Sequence, residues 1–481
     1  ADISGRDLNV IISSSIAYLN VGTTINAKQV TVQAQTIYAN GNINASASDT
    51  LGGAISLLAQ ALYISGRLNS SAGSNSTGTN SVPSSVVYNG QIVRREDLPA
   101  FLIAQNSGNN GIALDRVFSI NAANDPNMGA PQWSPAKQNN VIYLLADQLI
   151  TLGNSAQIIA NGTNHVGSQI YVAAPNIDLQ TGSLMRANGN NGPGGEVFIS
   201  ANQATFSGSI QANGDLAGGS VLASSTGSIA LNGLIQANGN NGPGGSISLL
   251  STQDIQVNTA TIAANGNTDG GSLLIVSGAG NTNIQISIIQ TNGSNGRGGS
   301  IGISAKNNVT IQNSSIEATG YNQGGTIKIG NDATNGTLPF ALFTSLDSAT
   351  TINASHSNQS QASQGGYIET SGQTVSLLAS INAGRGGMWL IDPTDILIDS
   401  GFASTISSSS GNVEIKTSGA CVGVSCSSSG AVISSGNGNI YVNSAINKTS
   451  GSLTFTPSGA TYLSANVTAA GGQAYNGAVY I

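Results

Sequence analysis

The chain has 481 residues, of which 63 are Gly, only 7% are charged and 5% are aromatic, far below the usual quarter charged. Its 14 Lys and Arg against 21 Asp and Glu give a net charge of −7 and build no basic patch, which excludes nucleic acid as a partner and a basic amphipathic membrane helix. No stretch approaches the roughly 20 apolar residues of a membrane span, so membrane insertion is not expected.

Residues 1–73 are repetitive. Leu8-Asn9-Val10-Ile11-Ile12, Lys28-Gln29-Val30-Thr31-Val32 and Ala54-Ile55-Ser56-Leu57-Leu58 read as strands. The opening Ala1-Asp2-Ile3-Ser4-Gly5 is already in strand-and-turn pattern, with no signal peptide, and Val479-Tyr480-Ile481 reads as a strand beginning. A mature or excised portion of a longer secreted protein is expected. Residues 74–140 break the pattern. They hold Pro83, Pro99, Pro126, Pro131 and Pro135 and the most charged run, Arg94-Arg95-Glu96-Asp97. This predicts an excursion from the repeats, a long loop with a short helix near 98–104. Two readings of it stand: a binding loop, with Arg94, Arg95, Phe101 and Trp133 in contact, or a passive decoration or coil cap.

Coils resume at Val141-Ile142-Tyr143 and run to 330. Within them Ala187-Asn188-Gly189-Asn190-Asn191-Gly192-Pro193-Gly194-Gly195 returns letter for letter at 237–245, with weaker copies at 212–219, 264–271, 291–299 and 318–325. The Gly-Gly pairs recur every 24 to 28 residues, the mark of a repeat architecture. Between them apolar residues alternate: Ile247 and Leu249, Ile255 and Val257, Ile262 and Ala264. Three half-buried strands per period predict a coil of a right-handed parallel β-helix. Gly-Gly and Asn-Gly are placed at corners, where positive φ is cheap for Gly and tolerable for Asn. No coil buries its apolar face alone, so stability comes from stacking.

A smaller insertion is expected over 331–363. The repeats then restart at Gly365-Gly366-Tyr367 and continue over 364–481, with a shorter spacing of about 20 residues near the end. Cys421 and Cys426 are the two cysteines; the pair reads either as a small disulfide loop in an oxidising compartment or as free thiols. His165 and His356 are the only histidines, so zinc, which takes about four ligands, is not expected, nor is any cofactor. The acids of the central coils, Asp178, Glu196, Asp215, Asp254, Asp269 and Glu317, form no trio on adjacent coils, and catalysis needs at least a paired constellation.

Gly387-Met388-Trp389-Leu390-Ile391-Asp392-Pro393-Thr394-Asp395 resembles the Gly-x-Trp-Leu-(Leu/Ile)-Asp-Pro-x-(Asp/Asn) signature of filamentous-haemagglutinin-like exoproteins of Gram-negative bacteria. The coils and the strand at 438–446 are similar in style. The resemblance implies two-partner secretion through a dedicated outer-membrane barrel, folding outside the cell, and a role in adhesion, aggregation or biofilm. The family's Asn-Pro-Asn-Gly-(Ile/Leu) secretion motif is missing; Asn124-Asp125-Pro126-Asn127 does not match it. Some members tether themselves through a disulfide near the carboxy terminus, and Cys421 and Cys426 are similar in spacing. Physically, Trp389 reads as an aromatic plug, and Asp392-Pro393 as a turn whose Asp caps backbone N–H groups. The other reading is a ligand site of Asp392, Asp395 and Asp399.

The sequence therefore predicts an all-β solenoid with two loop insertions, secreted or on the surface of a Gram-negative cell. Its expected role is a fibrous adhesin segment that meets a glycan or protein receptor. The alternatives are a filament subunit that self-associates end to end and, less favoured, a β-helix enzyme acting on polysaccharide.

Overall fold

The period-two pattern folds as strands that pair in parallel with their copies one coil away. The computed structural model describes residues 3–20, 22–46, 53–71, 85–88, 91–94, 141–163, 167, 169–333, 336, 338–358, 364–418 and 437–481. It is a right-handed parallel β-helix with three strands per coil. The chain forms two compact units, Ala1–Gln253 with Ala260–Gly266, and Asp254–Thr259 with Asn267–Ile481.

In the first unit, Ile3–Leu19 and Thr24–Ala39 each supply more than one side of a coil. Later coils separate the sides into distinct strands, as in Glu196–Ala201, Gln203–Phe206 and Ser209–Gln211. The ladders keep strict register, with Val197 on Val221 and Val221 on Ile247. In the third ladder Leu68, Ile158, Met185, Ile210 and Ile235 form a column, all 0% exposed. After Ser71 the chain leaves the coils, and it returns at Val141 paired with Ala54, while Gln157 pairs with Arg67. Of the intervening residues, Ser85–Tyr88 and Gln91–Arg94 form an antiparallel pair.

The Ala-Asn-Gly triplet has a separate task for each residue. Ala187, Ala212, Ala237 and Ala264 fill the inner corner, fully buried. The asparagines form a ladder: Asn161 Oδ1 accepts from Asn188 N at 3.0 Å, Asn188 Oδ1 from Asn213 N at 2.9 Å, Asn213 Oδ1 from Asn238 N at 2.7 Å, and Asn238 Oδ1 from Asn265 N at 2.8 Å. Gly189, Gly214, Gly239 and Gly266 then bridge coil to coil. The Gly-Gly pairs do sit at corners, but positive φ is not the reason: none of Gly194, Gly218, Gly244, Gly270, Gly298 and Gly324 adopts it. Close approach is the reason. A Cβ on Gly194 would strike Ala212 O and Gly219 N of the next coil, and Gly219 N donates to Ala212 O at 2.7 Å to close the corner.

The second unit repeats this plan in Ser272–Ser277, Thr282–Gln285 and Ile288–Gln290 and in the coils that follow. The expected insertion at 331–363 is corrected. Phe343–Leu346 and Thr351–Asn353 lie in register on Asn308–Gln312 and Ser315–Glu317. This stretch is one coil with lengthened corners, because Leu346 and Ile352, both 0% exposed, continue the core columns. Near the end Leu453 pairs with Gln473, a coil of 20 residues as the spacing predicted.

Asp392-Pro393 is not a turn but the end of the strand Met388–Pro393, held in register on Ser371 and Gly372. Among the described residues one helix, Ser400–Ser408, stands where a third strand would be and was not foreseen. Its N-cap Asp399 accepts from Phe402 N, and Phe402, Ala403 and Ile406 are buried. The segment 419–436, with Cys421 and Cys426, lies outside the described residues, as does the helix expected near 98–104.

Thr259, Ile286 and Asn313 all take positive φ at the corner before the third strand, and Ile286, at φ 48° and 60% exposed, carries a β-branched side chain there. Two substitutions should therefore act in opposite directions. Ile286→Asn should stabilise the second unit by on the order of 0.5–1 kcal/mol. Gly298→Ala, whose Cβ would meet Ala318 O and Gly325 N, should destabilise it. Hydrogen-exchange protection of the strands from 272 to 329 checks both, and equal effects would contradict this account.

Candidate functional site

The signature stretch makes a buried support. Trp389 is 0% exposed, with Ile368 before it and Val413 after it in the ladder. Its Nε1 donates to Thr370 Oγ1 at 2.9 Å, which satisfies the indole in an apolar interior. The Phe402 ring meets it edge-on at 6.4 Å and 66°. Trp389 thus fills the interior of its rung, and the helix Ser400–Ser408 packs against it.

The three acids after Trp389 do not converge. Asp395 Oδ1 accepts from Asn439 N at 2.7 Å and Asp399 caps the helix, so these two do the backbone capping expected of Asp392. Asp392 is 8% exposed and its Oδ1 has no hydrogen-bond partner. Burial pushes its carboxyl above the ordinary range, Lys416 pulls it down and Glu414 pushes it up. Among the described residues no three His, Cys, Asp or Glu side chains could hold a metal.

Asp215, Asp254, Asp269 and Glu317 are bound to neighbouring coils. Asp215 Oδ2 accepts from Asn191 N at 2.7 Å and its Oδ1 from Asn240 Nδ2 at 2.8 Å, and the Asn191 bond lowers its pKa first. Asp254 Oδ1 accepts from Asn281 N and Nδ2, Asp269 Oδ1 from Arg297 N at 2.7 Å, and Glu317 Oε2 from Gln290 and Asn292. A groove of about 380 Å³ in the second unit is lined by Asp269, Gly296, Arg297, Asn322, Gln323 and Gln364.

Of the candidate binding loop, Arg94 ends the strand Gln91–Arg94, opposite Ser85. Arg95, Phe101 and Trp133 lie outside the described residues.

Two features escaped the sequence reading. One is a covered group of Lys328, Asp332 and Glu369 beneath the corner at 330–342. The other is Lys448, 1% exposed in the strand Ile446–Lys448. Its Nζ donates to Ser409 O at 2.8 Å and Ser409 Oγ at 2.9 Å, at the C-cap of the helix, where a cation is favoured. Parity was the available signal: Ile446 faces inward, so Lys448 must as well.

No protein-family model and no curated protein matches the chain. Among solved structures, the crystal structure of the HMW1 secretion domain from Haemophilus influenzae is similar at 15% identity, over 80% of this chain and 89% of that chain, with a TM-score of 0.44. That likeness decides nothing about activity or partners.

Burial lowers the Lys448 pKa to about 8. Between that value and the ordinary lysine pKa the unfolded chain holds a proton that the folded chain lacks, so stability rises with pH across this window. Relative to Lys448→Met, the wild type should gain at most on the order of 3 kcal/mol between pH 7 and about 10.5. Thermal unfolding of both proteins across this range checks it, and a pH-independent difference would contradict it.

Proposed function

We propose that the chain is a segment of a secreted or surface-exposed fibrous adhesin. It acts as a spacer that presents loops for cell–cell or surface attachment and for biofilm formation. The observation that carries the reading is the register across the excursion. Ala54 meets Val141 and Arg67 meets Gln157 although dozens of residues intervene. The coils stack as if those residues were not there, so the excursion serves something other than the stack. Long insertions on a rigid scaffold are where binding residues concentrate.

The resemblance of the Trp389 stretch supports export through an outer-membrane barrel and release outside a Gram-negative cell. The receptor in this reading is a surface glycan or protein, met through Arg94, Arg95, Phe101 and Trp133. Catalysis has no part in the reading, which fits the acids Asp215, Asp254, Asp269 and Glu317 being taken up by bonds between coils.

Deleting 78–136 should abolish attachment to cells and glycan arrays while leaving secretion and a β-rich circular dichroism spectrum intact. Attachment equal to that of the full chain would overturn the reading.

A further inference from the structure

The second unit contains a buried reactive group that neither stacking nor attachment explains. Strands Thr326–Ile329 and Tyr367–Gly372 are neighbours in the first ladder, with Lys328 opposite Glu369. Both side chains point outward, because Ile327, Ile329 and Ile368 fill the core at 0% exposure. An outward charge in a solenoid is normally wet. Glu369 is instead 0% exposed, and the side chains of Lys328 and Asp332 are 14% and 4% exposed.

The corner after Ile329 covers them. Gly330 turns there with φ +81°, and a Cβ on it would collide with Ser371 O and Thr344 Oγ1. The reversal sets Asp332 over the strand it has just left, and Lys328 Nζ touches Asp332 Oδ1. Glu369 Oε1 accepts from Ala333 N at 2.9 Å and Ser371 Oγ at 3.1 Å, and its Oε2 from Tyr367 OH at 3.3 Å. Apolar groups flank the trio. Leu338 lies beside Gly302, the rung before Lys328, and Leu390 stands on the rung after Glu369.

We propose that Lys328 and Asp332 are joined by an intramolecular amide bond that forms after folding, with Glu369 as the proton relay. The chemistry closes without an oxidant or a second reactant. The first step moves one proton from the Lys328 ammonium to the Asp332 carboxylate it touches, which leaves a neutral amine and a carboxylic acid. The amine lone pair attacks Asp332 Cγ, the C–N bond forms, and the carbonyl π pair moves to oxygen. Glu369 gives a proton to the departing hydroxyl and takes one from nitrogen. The C–O bond breaks and one water leaves.

Glu369 suits this part because it lies covered beside the pair, and burial, the largest influence, raises its pKa and so favours its protonated form, while Lys328 lowers it and Asp332 raises it. The product also removes two charges from a place where each is costly to desolvate. The bond would lock the 330–342 corner onto the sheet face.

Intact mass spectrometry of the purified full chain tests this. The wild type should weigh one water less than its sequence, and Lys328→Arg and Glu369→Gln should weigh what their sequences require. Peptide mapping of the wild type alone also decides. In the denatured protein a lysine-specific protease should leave the bond after Lys328 uncut, and the peptide holding Lys328 and Asp332 should carry the loss. A wild type at full sequence mass, or a water loss that persists in Lys328→Arg, overturns the proposal.

Discussion

Everything in this protein depends on one distance, the roughly 4.8 Å between a strand and its copy in the next coil. At that spacing each residue sits directly on its counterpart, so the sequence must place like on like: Ile210 on Ile235, Asn188 beside Asn213, Tyr18 on Tyr38. Unlike side chains are tolerated only where both find partners. The low charge content follows, because a charge in the column would face a like charge on the next rung. Where charges do enter strands their ladder partners are neutral, as Gln169 and Ser220 are for Glu196, or opposite in sign, as Glu369 is for Lys328.

The same spacing decides which residues turn the corners. Glycine at 194, 218, 298 and 324 is required because another backbone passes where a side chain would be. Left-handed geometry falls elsewhere, on glycines such as Gly182 and Gly330 and, at the corner before the third strand, also on Thr259, Ile286 and Asn313. Composition located the corners, but it pointed to the wrong cause, since both causes select glycine and only the neighbouring coil separates them.

The strands and their register were legible because each follows from period two and from repetition, whereas Trp389 was picked out by the signature stretch it belongs to. Local propensity misled where stacking overrides it. Asp392-Pro393 has turn chemistry, yet it stays extended because the strand Tyr367–Gly372 dictates its register. The helix Ser400–Ser408 carries few strong helix formers and is set by the Asp399 cap and by burial of Phe402 and Ile406. The Lys328, Asp332 and Glu369 group was illegible because it exists only once the 330–342 corner has folded back. Of the proposed loop residues, only the strand position of Arg94 is placed by the structure.

The asparagine ladder bears on how long such a molecule lasts. Asn-Gly is the dipeptide that ages fastest in water: the glycine nitrogen attacks the side-chain amide, ammonia is lost, and the backbone is left rearranged. This chain repeats that dipeptide in every coil from 141 to 299. In the folded state, however, Gly189 N is held by Asn213 O at 2.8 Å and Gly214 N by Asn238 O at 2.9 Å, while each asparagine carbonyl is occupied by the amide of the coil beyond. The attacking nitrogen is engaged and the target cannot swing toward it. The coil stack thus shields its most perishable bonds by the contacts that build it, and deamidation should begin where a rung has frayed.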